Sequence, residues 1–127
     1  MKHNADFRYD LKWGQIGENT VAEIVAGDKT EVKSERDIWA NTGNHYVEIS
    51  SRGKPSGIDK TEAKWWFHIL ELKNKEYSML VFRVARLKKI ANKYKKTHTK
   101  EIGDYRASKC VVIPIKELFS EKCYELF

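Results

Sequence analysis

From Trp13 to Val25 the apolar residues Trp13, Ile16, Val21, Ile24 and Val25 recur at helical spacing, and Gly27 stands ready as a stop. The period then changes. Lys29 to Glu35 alternates strictly, which is the pattern of a strand. Turn-forming Asn41-Thr42-Gly43-Asn44 leads to a second strand, His45 to Ser50. Ser51 to Gly57, with two glycines, a proline and two cations, reads as a basic loop without regular structure. Ile58 to Lys64 predicts a short helix. Trp65 to Leu72 and Tyr77 to Val84 are apolar runs around Lys73-Asn74-Lys75-Glu76 and predict a hairpin. Arg86 to Lys96 is an amphipathic helix with Leu87, Ile90, Ala91 and Tyr94 as its apolar stripe. Lys109 to Ile115 is a last strand, which Pro114 assigns to a sheet edge, and Lys116 to Tyr124 a closing helix. The order predicts an α/β (α+β) domain, a mixed central sheet flanked by helices.

The first strand carries charges where a core strand would carry aliphatics. Residues two apart share a face, so Glu31, Lys33 and Glu35 project together, opposite Thr30, Val32 and Ser34. A strand entered directly from a helix is expected to be internal, where charges are costly unless paired or bound to a metal. On the second strand Val47 and Ile49 face one way, and Tyr46, Glu48 and Ser50 the other. If the two strands pair, Glu48 joins Glu31 and Lys33, and Glu18 of the first helix can lean over the same edge. Carboxylates around one lysine suit a divalent cation: Mg²⁺ needs only a few protein oxygens, polarises a phosphoryl oxygen and activates a water, while a lysine orients that water or offsets phosphate charge. The plain alternative is a solvent-facing strand with ordinary cross-strand charge pairs.

Composition narrows the classes. At 127 residues the chain has the size of one domain, 1–127, and 15 aromatic residues (four Trp, six Tyr, five Phe) suffice for a core. The net charge of +6 suits a polyanionic partner. No apolar run is long enough to cross a bilayer and the N-terminus lacks the pattern of a signal peptide, so a soluble, cytoplasmic protein without membrane contact is expected. Cys110 and Cys123, the only cysteines, read as reduced thiols. His45, His68 and His98 show no metal-ligand spacing on one element and read as ordinary histidines.

Glu18 on the first helix and Glu31-Val32-Lys33 on the first strand resemble the PD-(D/E)xK nuclease superfamily, which includes restriction enzymes, phage exonucleases and Holliday-junction resolvases. Ser51-Arg-Gly-Lys-Pro-Ser-Gly-Ile58, followed by Thr61, Ala63 and Trp65, is similar to small phage-type proteins of that superfamily, and the resemblance spans roughly residues 10–70. It implies a restriction-endonuclease-like fold and a nuclease using Mg²⁺ (or Mn²⁺), with Glu18, Glu31 and Lys33 catalytic and Glu18, Asp28, Glu31 and Glu48 around the metal. The family's Asp precedes its Glu-x-Lys by a longer interval than Asp28 does here. A second register puts Glu35 in the place of that Asp, Glu48 as the later acid, Lys33 as a relocated lysine, and Ser50 where the lysine usually stands.

Arg83 to Lys100 holds eight Lys or Arg and no acid. Lys88, Lys89, Lys93, Lys95 and Lys96 flank the stripe of its helix, and Arg52, Lys54 and Lys60 form a second basic group nearer the acidic site. Both are candidate phosphate contacts, or simply solvated faces. No base-reading motif accompanies them. The expectation is a metal-dependent DNA endonuclease, resolvase-like or repair-like, acting as a homodimer because one small domain engages one strand. The alternatives are a non-catalytic DNA-binding module on a degenerate nuclease fold and a phage-type inhibitor that binds a protein.

Overall fold

A computed structural model describes residues 7–120 and 126. Helix α1 (Phe7–Val25) begins earlier than the apolar spacing indicated. It ends where Gly27 takes φ 115° and the Gly27 and Asp28 amides donate to the Ile24 and Glu23 carbonyls, a Schellman-type stop. The chain then runs into β1 (Thr30–Glu35), the short α2 (Ile38–Thr42) and β2 (Asn44–Ser51). Next come β3 (Lys54–Pro55), a 3-10 turn at Gly57–Asp59, β4 (Trp65–Leu72), β5 (Lys75–Arg83) and α3 (Val84–Tyr94). Strands β6 (Thr99–Ile102) and β7 (Ser108–Pro114) and the helical turn α4 (Ile115–Leu118) follow. The fold is mixed α/β, with two sheets: β1-β4-β5, and β3-β2-β7-β6. The last part of the expected closing helix, including Cys123, lies outside the described residues. Among the described residues no helix is long and apolar enough to cross a membrane.

Several local expectations change. Strands β1 and β2 do not pair, and β1 is an edge strand, parallel to β4. Arg36 to Gly43 carries the chain from one sheet to the other: Trp39 of α2 donates its indole N–H to the Glu71 carbonyl at 2.7 Å, docking α2 on the β4–β5 hairpin. The expected basic loop contains β3, because Arg52 and Gly53 both take positive φ and close a two-residue hairpin between Ser51 and Lys54. The expected helix over 58–64 shrinks to the 3-10 turn. Strand β6, too polar to stand out, pairs with β7 and leaves β7 internal. Pro114 is tolerated there as the terminal residue of its strand.

The main core lies where α3 meets both sheets. Val84, Leu87, Ile90, Ala91 and Tyr94 from α3 pack with Val47 and Ile49 of β2, Val111 and Ile113 of β7, and Trp66 of β4. In β4 the side chains alternate, so Trp65 and Trp66 are buried on opposite faces. Trp66 enters the core. Trp65 donates its indole N–H to Asp28 at 3.1 Å and carries the Arg83 guanidinium 4.5 Å above its ring. Helix α1 contributes little to this core: Trp13, Val21 and Val25 face solvent.

Gly57 holds φ 54°, and a Cβ there would overlap the Glu48 backbone carbonyl. The Gly57–Asp59 turn is thereby pressed against β2 at Glu48, and both the clash and the left-handed backbone exclude a side chain. Gly57→Ala is expected to destabilise the fold by about 2–4 kcal/mol, read as a lower urea midpoint at unchanged m-value.

Candidate functional site

The register of β1 against β4 fixes which way its charges point. Glu31, Lys33 and Glu35 stand opposite Trp66, His68 and Leu70, the buried residues of β4 on the face that meets the core. Thr30, Val32 and Ser34 take the outer face, and Val32 is 56% exposed. The strand is thus inverted: its aliphatic residue faces water and its charged row faces inward, which apolar burial alone would disfavour.

Along that row exposure falls from one end to the other. Glu31 and Lys33 are half-exposed, their side chains 36% and 41% accessible, with Lys33 Nζ 3.9 Å from Glu31 Oε1. At Glu35 the accessible fraction of the side chain drops to 10%. Its Oε1 accepts the Tyr46 backbone N–H at 2.6 Å and lies 2.8 Å from His68 Nε2. Tyr46 belongs to the stretch of β2 that has β7 on one edge and no strand on the other, so one carboxylate joins the two sheets. Glu48 shares a face of the second sheet with Cys110, its partner across the ladder, and its Oε2 accepts the Ser56 hydroxyl at 2.9 Å. Burial, then the carboxylates of Glu48 and Glu35, push the Cys110 thiol up to about 12, so it stays a protonated, unreactive thiol at neutral pH.

Behind Glu35 lies a pair of histidines that sequence spacing did not associate. His45 of β2 and His68 of β4 are fully buried, their rings edge-to-face with centroids 4.1 Å apart. His68 Nδ1 accepts the Trp66 indole N–H at 3.2 Å, which puts the His68 proton on Nε2, towards Glu35. Neither ring nitrogen of His45 has a hydrogen-bond partner in the protein, and Glu35 Oε2 has none either. One ligand atom from each of Glu35, His45 and His68 lies within 4.8 Å of the others. Among the described residues this is the one group of three or more potential metal ligands so close together. A faint sequence signal existed: each histidine is a polar residue at an inward position of an otherwise apolar alternation, His45-x-Val47-x-Ile49 and Trp66-x-His68-x-Leu70.

The other expected site residues are dispersed. Asp28 is engaged by the Trp65 indole and by Lys64 Nζ at 3.5 Å. Glu18 is exposed on α1. Glu18, Asp28, Glu31 and Glu48 therefore form no single cluster of metal-ligand dimensions among the described residues. Gly53 and Pro55 of the β2–β3 hairpin, Lys88 of α3, Lys95 just after it and Lys109 of β7 line one cleft of about 510 Å³, which Arg52, Lys54 and Lys60 do not line. Lys95 is bound there to Asp59 at 2.8 Å. Arg52, Lys54, Lys60, Lys88, Lys89, Lys93 and Lys96 are all exposed. Lys100, Arg106 and Lys109 line an adjoining depression, which spacing in the sequence did not reveal because β6 brings it about.

Burial, and secondarily His68, hold His45 well below the ordinary imidazole value of about 6.5. The folded state keeps it neutral while the unfolded chain takes up a proton below that value, so stability is full above it and falls as pH drops. Below about pH 6.5 this group should remove stability progressively, by at most about 1.4 kcal/mol per pH unit. Urea unfolding across this range should show the slope in the wild-type chain and a smaller one in His45→Leu.

No family model, no curated protein and no solved structure matches this chain, so its functional reading rests on its own residues and geometry.

Proposed function

We propose that the chain is a metal-dependent DNA nuclease of restriction-endonuclease-like architecture, whose reacting edge is the Glu31–Lys33 end of β1. The observation that carries this reading is the inverted strand: a glutamate and a lysine 3.9 Å apart, on the inward face of an edge strand, yet half-accessible. A structural ion pair gains little from that placement, whereas a site that must meet a phosphodiester needs charges that are both positioned and reachable. Accessibility also favours Glu31 over Glu35 as the acid beside Lys33, since Glu35 is buried and already bonded to Tyr46.

Mg²⁺ or Mn²⁺ fits the donor type of Glu31; such ions keep several waters and need few protein groups. When bound, the ion supplies phosphoryl polarisation and a more acidic water. Lys33 holds the attacking water and offsets the charge gathering on phosphate. Lys88, Lys109 and the β2–β3 hairpin track the backbone of DNA. Two copies complete the cleavage of a duplex, each cutting one strand.

A second reading is favoured by one observation: Asp28 is occupied and the four acids do not cluster, which suits a DNA-binding module that does not cut. The two diverge in a single assay on linear, nicked and four-way-branched DNA with Mg²⁺, Mn²⁺ or EDTA. The nuclease predicts metal-dependent cutting that drops at least about a hundredfold in Lys33→Ala. Binding without cutting, equal in both proteins, would establish the module instead. Absence of both activities, with a monomer in sedimentation, would end both readings.

Lys88→Ala combined with Lys109→Ala should weaken binding on every DNA sequence alike. It should also lower the slope of log affinity against log salt by roughly 2, measured by fluorescence anisotropy.

A further inference from the structure

Beyond this reading, we infer that Glu35, His45 and His68 form a second, separate metal site, selective for Zn²⁺ or a similar transition-metal ion, that clamps the two sheets together. Each ligand comes from a different strand. Glu35 ends β1 and His68 lies in β4, both in the three-stranded sheet; His45 lies in β2, in the four-stranded one. An ion held by all three ties the sheets at the place where no backbone ladder joins them.

Two observations point to an ion. The ligand atoms lie within 4.8 Å of one another, close to the spacing of about 3.4 Å implied by metal–ligand bonds of 2.0–2.1 Å, so small side-chain rotations close the site. His45 is completely buried with both ring nitrogens unpaired by the protein, and Glu35 Oε2 is unpaired beside it. Buried polar atoms are nearly always partnered, and an unpaired His45 nitrogen beside an unpaired Glu35 oxygen is better accounted for by a shared partner than by two separate defects.

The donor set decides the ion. Two imidazoles and one carboxylate suit Zn²⁺ and its neighbours, with a fourth position left to solvent, whereas Mg²⁺ prefers oxygen ligands. This separates the site from an ion held by oxygen at Glu31. Tyr46 holds Glu35 through Oε1 and leaves Oε2 for the ion. Coordination by His68 Nε2 moves its proton to Nδ1 and gives up the 3.2 Å bond from Trp66. The 2.8 Å contact of His68 Nε2 with Glu35 Oε1 gives way as well, replaced by the bonds of both groups to the ion.

The test uses the full, untagged chain, stripped with EDTA and kept free of DNA, so that it is independent of nuclease activity. Zn²⁺ at about a hundred times its dissociation constant should raise the unfolding midpoint on the order of 10 °C, and Mg²⁺ at the same concentration should not. Co²⁺ should give visible d–d absorption of one low-symmetry site per chain. In His45→Leu, which replaces two unpaired nitrogens by a side chain of similar size, the metal-free protein should remain folded while the Zn²⁺ shift and the Co²⁺ band disappear. Glu35→Gln, which keeps an acceptor for Tyr46, should weaken Zn²⁺ at least tenfold and serves if the leucine variant does not fold. A wild-type chain with neither shift nor band would overturn the site. So would Zn²⁺ effects that persist undiminished in the variants.

Discussion

The contact on which this structure turns is the Glu35 carboxylate lying between two sheets that share no ladder. On one side it takes the Tyr46 N–H from the unpaired stretch of β2; on the other it faces His68 of β4. An exposed strand edge would otherwise leave backbone donors without partners inside the fold. A buried carboxylate accepting a backbone N–H gains a charge-assisted bond, but it also brings a charge into a region of low polarisability. Much of the polar chemistry nearby follows from that placement. The inward row on β1 continues through Lys33 and Glu31 to the surface, and the buried histidines gather behind Glu35. Cys110 is made harder to ionise by its burial and then by the carboxylates around it.

The arrangement divides the interior into two kinds of packing. Around α3 the core is apolar and continuous, from Leu87 and Ile90 to Val111 and Ile113, and supplies the cohesion of the domain. Between β1, β4 and β2 the interior is polar, and its members are satisfied only in part. Natural domains keep such regions where a site requires them and rely on the apolar core elsewhere for stability. Here the polar region runs from a buried nitrogen-rich end to an accessible end with one glutamate and one lysine.

Basic residues are arranged on a different principle. Lys109 is remote in the chain from Lys88 and Lys95 and meets them because α3 packs against β7, while the β2–β3 hairpin folds back over Ser50. Phosphate recognition needs cations at a certain pitch on a surface rather than at fixed spacing in a sequence. A run such as Arg83 to Lys100 therefore announces charge without defining the groove.

The sequence by itself determined the elements whose apolar period is strong: α1, β1, β2, the β4–β5 hairpin, α3 with its stripe, and β7. It also determined that β1 carries its charges on one face, because strand geometry leaves no other choice. Elements whose reason is a partner were decided only in three dimensions. Strand β6 exists because β7 offers it an edge, and β3 because Arg52 and Gly53 can take positive φ. Pairing was likewise beyond local pattern: β1 and β2 each alternate, but the side chains that fill the core sent them to different sheets. For the same reason Asp28 was drawn to Trp65 and Lys64, and Glu48 to Ser56, instead of joining Glu31. His45 and His68, 23 positions apart, could be associated only by the packing of β2 against β4. A side chain's face is set by its neighbours along the chain, while its company is set by which faces can be buried together.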